Sequence, residues 1–312
     1  MAALLNCSII IPVYNGAETV PLLVERLRQV LSDAVRKYEV ILINDGSPDG
    51  SWEVIQQLAR RHSWVRGIDL MRNYGQHNAT LCGVRAARYD ITITMDDDLQ
   101  HPPEEIPHLL AKLAEGYDVV YGIPKRRPHN WWRNGFSTFT KYVLSYTMGI
   151  KTIRDIGSFR AFRTHLRQAF ENFNSPDLIL DVLLSWGTNR FTAVQIEEAP
   201  RASGESNYSF RKLTRVALMV LTAFSTTPLR LASIIGFFFT LVGIAAFLYV
   251  LIVYFTAGSV PGFPFLASII SLFSGAQLFA LGIIGEYLAR VFDHTTARPC
   301  YTIGNKTGDR SG

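Results

Sequence analysis

The sequence predicts an α/β fold built on a mostly parallel sheet, followed by a pair of membrane helices, on three observations. Short apolar, β-branched runs alternate with amphipathic stretches up to about residue 125, the pattern of βαβ units. Asn15, Asp45 and Asp96 to Asp98 stand just beyond the ends of such runs, where ligands bind in sheets of this kind. Between Arg230 and Glu286 there is no Asp, Glu, Lys or Arg, which leaves room for two spans of about 20 residues each.

The first buried strand is "CSIIIPVYN", ended by turn residues. A helix follows, with Pro21 in its first turn and Leu23, Leu27, Val30 and Ala34 along one face. "YEVILIND" is the second strand, cut off by Gly46-Ser47-Pro48-Asp49-Gly50. "WEVIQQLARRH" reads as helix, "VRGIDL" as a third strand, "NATLCGVRAARY" as helix and "DITITM" as a strand ending at Asp96. "PPEEIPHLLAKLAEG" is a helix with acids in its first turn and glycine at its end, and "YDVVYG" is a further strand. Beyond that the pattern weakens. "NWWRNGFSTFTKYVLSYTMG" mixes aromatic and basic residues, as an interfacial helix would, and an amphipathic helix on the globular core fits it equally. "FRKLTRVALMVLTAFSTTPLR" has the same character and leads into the first span, Leu231 to Tyr254. The second span runs from Phe265 to Tyr287, so both ends of the hairpin return to one side. The expected divisions are 1–130, a nucleotide-sugar-binding core; 131–229, the acceptor side with interfacial helices; 230–290, the membrane hairpin; and 291–312, a cytoplasmic tail.

The net charge of +5 and pI near 9.1 come with no basic run inside a nucleic-acid motif, so no nucleic-acid partner is expected. Basic residues instead flank the apolar spans, as the positive-inside rule has it. Cys7, Cys82 and Cys300 lie far apart without metal-ligand spacing and read as reduced cytosolic thiols. The N-terminus lacks a charged n-region and a long apolar core, so no signal peptide is expected and the front of the chain is placed on the cytoplasmic side.

The chemistry centres on "TMDDDLQHPPEE". Three adjacent ionised carboxylates repel one another unless a cation or proton compensates. Hard oxygen donors suit Mg²⁺ or Mn²⁺, ions that keep waters and bind substrate phosphates. On a strand, Asp96 and Asp98 share a face and Asp97 points elsewhere. The alternative is an acidic turn capping the next helix. Asp45 fits either a contact to a base or ribose or an Asx-type cap. No G-x-G-x-x-G follows the first strand and no G-x-x-x-x-G-K-[ST] occurs, which argues against a dinucleotide site and a P-loop. His77 and His101 are single and read as surface or turn residues.

"IIIPVYN", "VILINDGSPDG", "RNYGQH", "MDDDLQHPPEE", "RDIGSFRAFR", "GESNYSF", "STTPLR" and "GEYLARVF" with "ARPCY" occur in this order. Together they resemble the polyprenyl-phosphate glycosyltransferases, a branch of the family 2 inverting transferases with the GT-A fold, a Rossmann-like, mostly parallel sheet. Undecaprenyl-phosphate sugar transferases of the bactoprenol glucosyltransferase and aminoarabinose types are the nearer members, and dolichol-phosphate mannose synthases the more distant. The resemblance runs from about residue 7 to 301. It implies transfer from a nucleotide sugar, a UDP-sugar before GDP-mannose, to undecaprenyl phosphate for cell-envelope glycan or lipid A modification. It also implies an integral protein of the bacterial inner membrane with a cytoplasmic catalytic domain.

The resemblance further implies that Asp96 contacts the nucleotide and Asp98 chelates Mg²⁺ or Mn²⁺, the two forming the metal pair. Asp97 is the replaceable residue between them on the nucleotide side. Pro12, Tyr14, Asn15, Ile43 and Asp45 match the nucleotide pocket, and Gln100 lies near the sugar or acceptor. Arg127 and Arg201 match basic positions for phosphate groups, with Asn207, Tyr208 and Ser209 in the acceptor motif. Asp155 matches an active-site carboxylate sometimes proposed as a base. Two departures stand out: Gly16 replaces the glutamate of the usual P-V-Y-N-E, and Asn207 replaces the lysine of the usual G-E-S-K-Y. Glycines within the spans (Gly243, Gly275, Gly282 and Gly285) permit a homo-oligomer. A haloacid-dehalogenase-type phosphatase is disfavoured because its D-x-D belongs on the first strand. A transporter component is disfavoured because the spans carry no ionisable residue. A processive polysaccharide synthase is disfavoured because only two spans are present and no Q-x-x-R-W occurs.

Overall fold

A computed structural model describes residues 5–125, 157–175, 178–197, 227–258, 262–296 and 298–308. The chain groups into two compact units, Met1–Ser209 with Ala297–Gly312, and Phe210–Thr296.

The first unit begins with β1 (Asn6–Val13), α1 (Thr19–Ala34), β2 (Lys37–Asn44), α2 (Ser51–Arg61), β3 (Val65–Leu70) and α3 (Gln76–Ala86). It continues with β4 (Ile91–Thr94), α4 (Ile106–Ala114), β5 (Val119–Pro124), β6 (Arg160–Arg163), α5 (Leu180–Gly187) and β7 (Phe191–Ile196). After the second unit the chain returns as β8 (Ile303–Thr307). All eight strands form one sheet in the order β7-β5-β6-β4-β1-β2-β3-β8.

Side chains on a strand alternate between faces, and the core follows from that. Ile9, Ile11, Val40 and Leu42 pack under α1, α2 and α4 through Leu23, Leu27, Ile55 and Leu109. Ile10, Ile41 and Ile43 pack on the other face under Ala79 and Cys82 of α3. Gly83 lets α3 approach closely, since a Cβ there would lie 2.3 Å from Cγ2 of Ile10. Strands buried on both faces read as continuous apolar runs, which is why β1 and β2 stand out in the sequence.

From β1 the chain steps outward through β2 and β3, all parallel. It then crosses back to place β4 on the other side of β1, again parallel. The two flanking connections diverge at that point, which opens a crevice beyond the carboxyl ends of β1 and β4. β6 lies antiparallel between β4 and β5, and β8 closes the far edge antiparallel to β3.

The five strands expected before residue 125 are all present. The helix expected over 102–116 instead opens with a 3₁₀ turn, Pro103–Glu105, before α4 begins at Ile106. Pro107 has no N–H to donate, so the α-helical ladder starts only around it. The aromatic stretch 130–149 and most of 210–230 lie outside the described residues.

The second unit contains α6 (Thr227–Ala257) and α7 (Phe263–Thr295). They pack against each other through Phe239 and Phe273, whose rings meet edge to face at 6.0 Å, and through Gly243 beside Phe273. Within α6, Ala232–Thr256 has a mean hydropathy of 2.5 and is long and apolar enough to cross a membrane. The apolar run of α7, Phe273–Ala289, is shorter than the expected second span. Ser268, Ser271, Ser274 and Gln277 lower the hydropathy of its first half.

Candidate active site

Three loops converge on the crevice. The first follows β1. Tyr14 is exposed there, and Asn15 takes the left-handed conformation (φ 57°), which a non-glycine residue adopts at some cost. The loop after β2 holds it by hydrogen bonds: Asn15 N–H donates to Ser47 Oγ (3.2 Å), Gly16 N–H to Ser51 Oγ (3.0 Å) and Ala17 N–H to Asp49 Oδ2 (3.2 Å). The turn residues between β2 and α2 therefore shape the neighbouring loop as well as their own.

The second loop joins β3 to α3 and is tied down by Asp45. Tyr74 N–H donates to Asp45 Oδ1 (2.7 Å) and Gly75 N–H to Oδ2 (2.9 Å). Burial pushes the Asp45 carboxyl above its ordinary value, and these two bonds work against that shift. Asp45 thus performs a capping task between two loops, one of the two roles its sequence position allows.

The third loop follows β4 and carries the acidic run, with Leu99 also left-handed (φ 61°). Asp96 Oδ2 accepts from Ser158 Oγ (2.6 Å), and its Oδ1 accepts from the Gln76 side-chain amide. Burial raises the Asp96 pKa, the Ser158 bond lowers it, and the nearby Asp98 raises it. Asp98 Oδ1 accepts the backbone N–H of Gln100 (3.1 Å). Asp97 turns toward β1: its Oδ2 accepts Tyr14 N–H (3.3 Å), and a Cβ on Gly16 would lie 2.5 Å from that oxygen. Burial pushes the Asp97 carboxyl up to about 7. The expected replaceable middle residue has a place of its own, and Gly16 is what leaves room for it.

Below the acidic run lies a buried ionic group. Arg160 Nε donates to Thr94 Oγ1 (3.0 Å) and its guanidinium pairs with Asp181, which also accepts from Tyr121 Oη (2.8 Å). Thr94 Oγ1 in turn donates to the carbonyl of Ser158 (2.6 Å), so β6 is locked beside the residue that binds Asp96. His101 stacks on Phe159 with ring centroids 5.3 Å apart, and its Nδ1 is buried without a hydrogen-bond partner among the described residues.

Of the residues singled out in the sequence, Tyr14, Asn15, Asp45, Asp96, Asp97, Asp98 and Gln100 come together at the crevice. Pro12 and Ile43 face each other across the β1–β2 pair, and the Ile43 side chain belongs to the core under Gly83. Arg127, Asp155, Arg201, Asn207, Tyr208 and Ser209 lie outside the described residues. Gln76, Ser158, Arg160 and Asp181 were not identified individually, although Gln76, Ser158 and Arg160 stand inside the strings "RNYGQH" and "RDIGSFRAFR". Among the described residues no cluster of three or more His, Cys, Asp or Glu side chains closes around a metal position.

An α/β sheet of this topology, with an acidic run beyond its central strands, is the architecture of the GT-A glycosyltransferases. The sequence profile described as glycosyl transferase family 2 matches residues 8–172, more than half of the chain. The chain belongs to that family, and within it to the polyprenyl-phosphate glycosyltransferases. It is 37% identical over 306 residues to the undecaprenyl-phosphate 4-deoxy-4-formamido-L-arabinose transferase of Proteus mirabilis (strain HI4320), covering 96% of this chain and 94% of that one. Among solved structures it resembles the glucosyl-3-phosphoglycerate synthase of Mycobacterium tuberculosis in complex with Mn²⁺, UDP and phosphoglyceric acid. That match has a TM-score of 0.51 at 17% identity, over 70% of this chain and 76% of the other. The mannosyl-3-phosphoglycerate synthase of Rubrobacter xylanophilus gives 0.51 at 18% identity, over 70% and 73%. At these identities the two structures speak for the fold alone.

Proposed function

We propose that the protein transfers a sugar from a UDP-sugar to undecaprenyl phosphate at the cytoplasmic face of a bacterial inner membrane, with inversion at the anomeric carbon. The observation that carries this reading is the convergence of Tyr14, Asp45 and Asp96 to Asp98 at the β1/β4 crevice, in a chain related over nearly its whole length to an undecaprenyl-phosphate sugar transferase. Residues 1–130 bind the nucleotide sugar, 131–229 face the acceptor, 230–290 anchor the chain in the bilayer and 291–312 follow on the cytoplasmic side. The apolar surface of α6 supports the anchoring.

The donor set at the acidic run fits a hard divalent ion. It is all oxygen, and alongside burial, the largest cause, the nearness of Asp98 helps to raise the pKa of Asp96. Asp96 and Asp98 would hold Mg²⁺ or Mn²⁺, and the bound ion would offset charge on the donor diphosphate. Tyr14 offers an exposed ring for the base, and Asp45 fixes the β3–α3 loop through the amides of Tyr74 and Gly75. Arg127 and Arg201 supply positive charge to the phosphates. The acceptor phosphate is largely dianionic at neutral pH, since its second pKa is about 6. It attacks without needing a strong base, so Asp155 serves positioning or metal contact rather than acting as an essential base. Holding the lipid phosphate beside the donor supplies proximity.

The test is direct. Purified protein in detergent is incubated with undecaprenyl phosphate, Mg²⁺ or Mn²⁺ and a panel of UDP- and GDP-sugars, and lipid-linked sugar is measured. Product with a UDP-sugar that disappears with EDTA is expected. Product from GDP-mannose alone, or undiminished transfer in EDTA, overturns the UDP or the metal part of the proposal respectively.

A further inference from the structure

We propose that the C-terminal strand, after the two long helices, is a positioning element for the nucleotide side of the site. The inference rests on the reading of that site given above. β8 was not visible in the sequence as a strand, yet it pairs with β3 from Gly67↔Thr307 to Leu70↔Ile303, with a bulge between Asp69 and Leu70. The bulge bends the strand pair where β3 gives way to the β3–α3 loop.

At that point Thr302 takes hold of the loop. Met71 N–H donates to the Thr302 carbonyl (3.0 Å). Thr302 and Arg72 hold the Tyr74 phenol below its ordinary pKa. The Arg72 guanidinium lies 4.7 Å from the centre of the Tyr74 ring. From the other side, the loop is clamped by Asp45 through the amides of Tyr74 and Gly75. Gly46, left-handed at φ +63°, brings the β2 loop so close that a Cβ would sit 2.5 Å from Asn73 N. The next residue, Gln76, reaches Asp96. A short stretch of chain, fixed by Thr302 at Met71 and by Asp45 at Tyr74 and Gly75, therefore leads to Gln76 and the first aspartate of the acidic run.

The strand is itself anchored. Cys300 N–H donates to Asn174 Oδ1 (3.3 Å), its thiol to the Ser175 carbonyl (3.1 Å), and Arg85 of α3 lies over the Tyr301 ring at 5.8 Å. The loop residues 71–76 are thus held between two fixed strands, and the placement of the Gln76 amide depends on both.

The full-length protein in detergent tests this with Thr302→Val at an exposed position and Tyr74→Phe at a half-buried one, against Lys306→Ala on β8. The readouts are amide hydrogen exchange over residues 71–76 and the kinetics of sugar transfer. Both test variants should exchange faster over 71–76 and show a KM for the nucleotide sugar raised about fivefold, the size of one lost hydrogen bond, with kcat and the KM for the lipid phosphate unchanged. Lys306→Ala should match the wild type. Unchanged exchange, or faster exchange with an unchanged nucleotide-sugar KM, overturns the inference. A wild-type protein that transfers no sugar from any donor overturns the proposed function instead, and leaves the exchange comparison standing.

Discussion

At the amino ends of the strands, Glu39 is buried against Ser8 Oγ (2.7 Å), the backbone N–H of Arg88 (2.8 Å) and the Arg66 guanidinium (2.8 Å). At the carboxyl ends, Asp96 and Asp97 take their described hydrogen bonds from neutral groups: Ser158, Gln76 and the Tyr14 amide. Burial raises the pKa of both aspartates. The first arrangement completes the compensation of a buried charge inside the protein. The second surrounds buried carboxyls with neutral donors, so that their ionised forms are favoured only when a cation binds there. The same residue chemistry is structural at one end of the sheet and poised for a ligand at the other.

The strongest way to break this contrast is Asp98→Ala. If the acidic run serves ligand binding, transfer to the lipid should fall by about 10²–10³-fold, the range for losing a group that stabilises developing charge. The melting temperature in detergent should change little. Undiminished transfer would make the run a helix-start feature and erase the difference between the two ends.

Glu39→Ala is the reciprocal experiment. It leaves the Arg66 guanidinium buried without its carboxylate partner, which costs about 3–5 kcal/mol in comparable buried pairs. A clear drop in thermal stability is expected, while the folded fraction keeps its kcat and KM. A selective loss of kcat in stable protein would contradict a purely structural role for the amino ends.

The carboxyl end should also impose a pH dependence. Asp97 holds its proton up to about 7 in the folded state, so the folded chain binds more protons than the unfolded chain between the ordinary carboxylate pKa and that value. The contribution to stability is complete at acid pH and is lost as pH rises through about 7. Asp96 and Asp45 are shifted in the same direction and add to it. Melting temperature without ligand should therefore fall over this window, and Asp97→Asn should flatten the slope without abolishing it. A slope unchanged in Asp97→Asn would show that Asp97 is not buried as described.

The strands β1 to β5 were legible because short runs rich in apolar and β-branched residues are punctuated by turn residues, and the acidic run announced itself by charge. What was hidden depends on partners far away in sequence. Arg160 opens β6 with a charge that argues against burial, and Asp181 makes that burial possible only once α5 folds over it. β8 reads Ile-Gly-Asn-Lys-Thr, polar as edge strands commonly are, so no apolar pattern marks it. Asp45 and Asp97 were visible as residues of interest, but their binding of backbone amides at Tyr74, Gly75 and Tyr14 depends on loop geometry that no periodicity encodes.

The smallest expected effect is also the most discriminating, because it concerns a neutral donor rather than a charge. Ser158 Oγ donates to Asp96 Oδ2 at 2.6 Å, and its backbone is fixed by Thr94 and hence by the Arg160–Asp181 pair. Ser158→Ala removes only the hydroxyl and leaves that buried framework in place. If β6 serves to hold Asp96 in position for the nucleotide, the KM for the nucleotide sugar should rise about fivefold, one hydrogen bond's worth, with thermal stability nearly unchanged. Ser158→Thr, which keeps an oxygen in reach, should recover most of the affinity. A stable Ser158→Ala protein with wild-type KM would mean that Asp96 is positioned by Gln76 alone, and that the buried network beneath the crevice holds the sheet together without tuning the site above it.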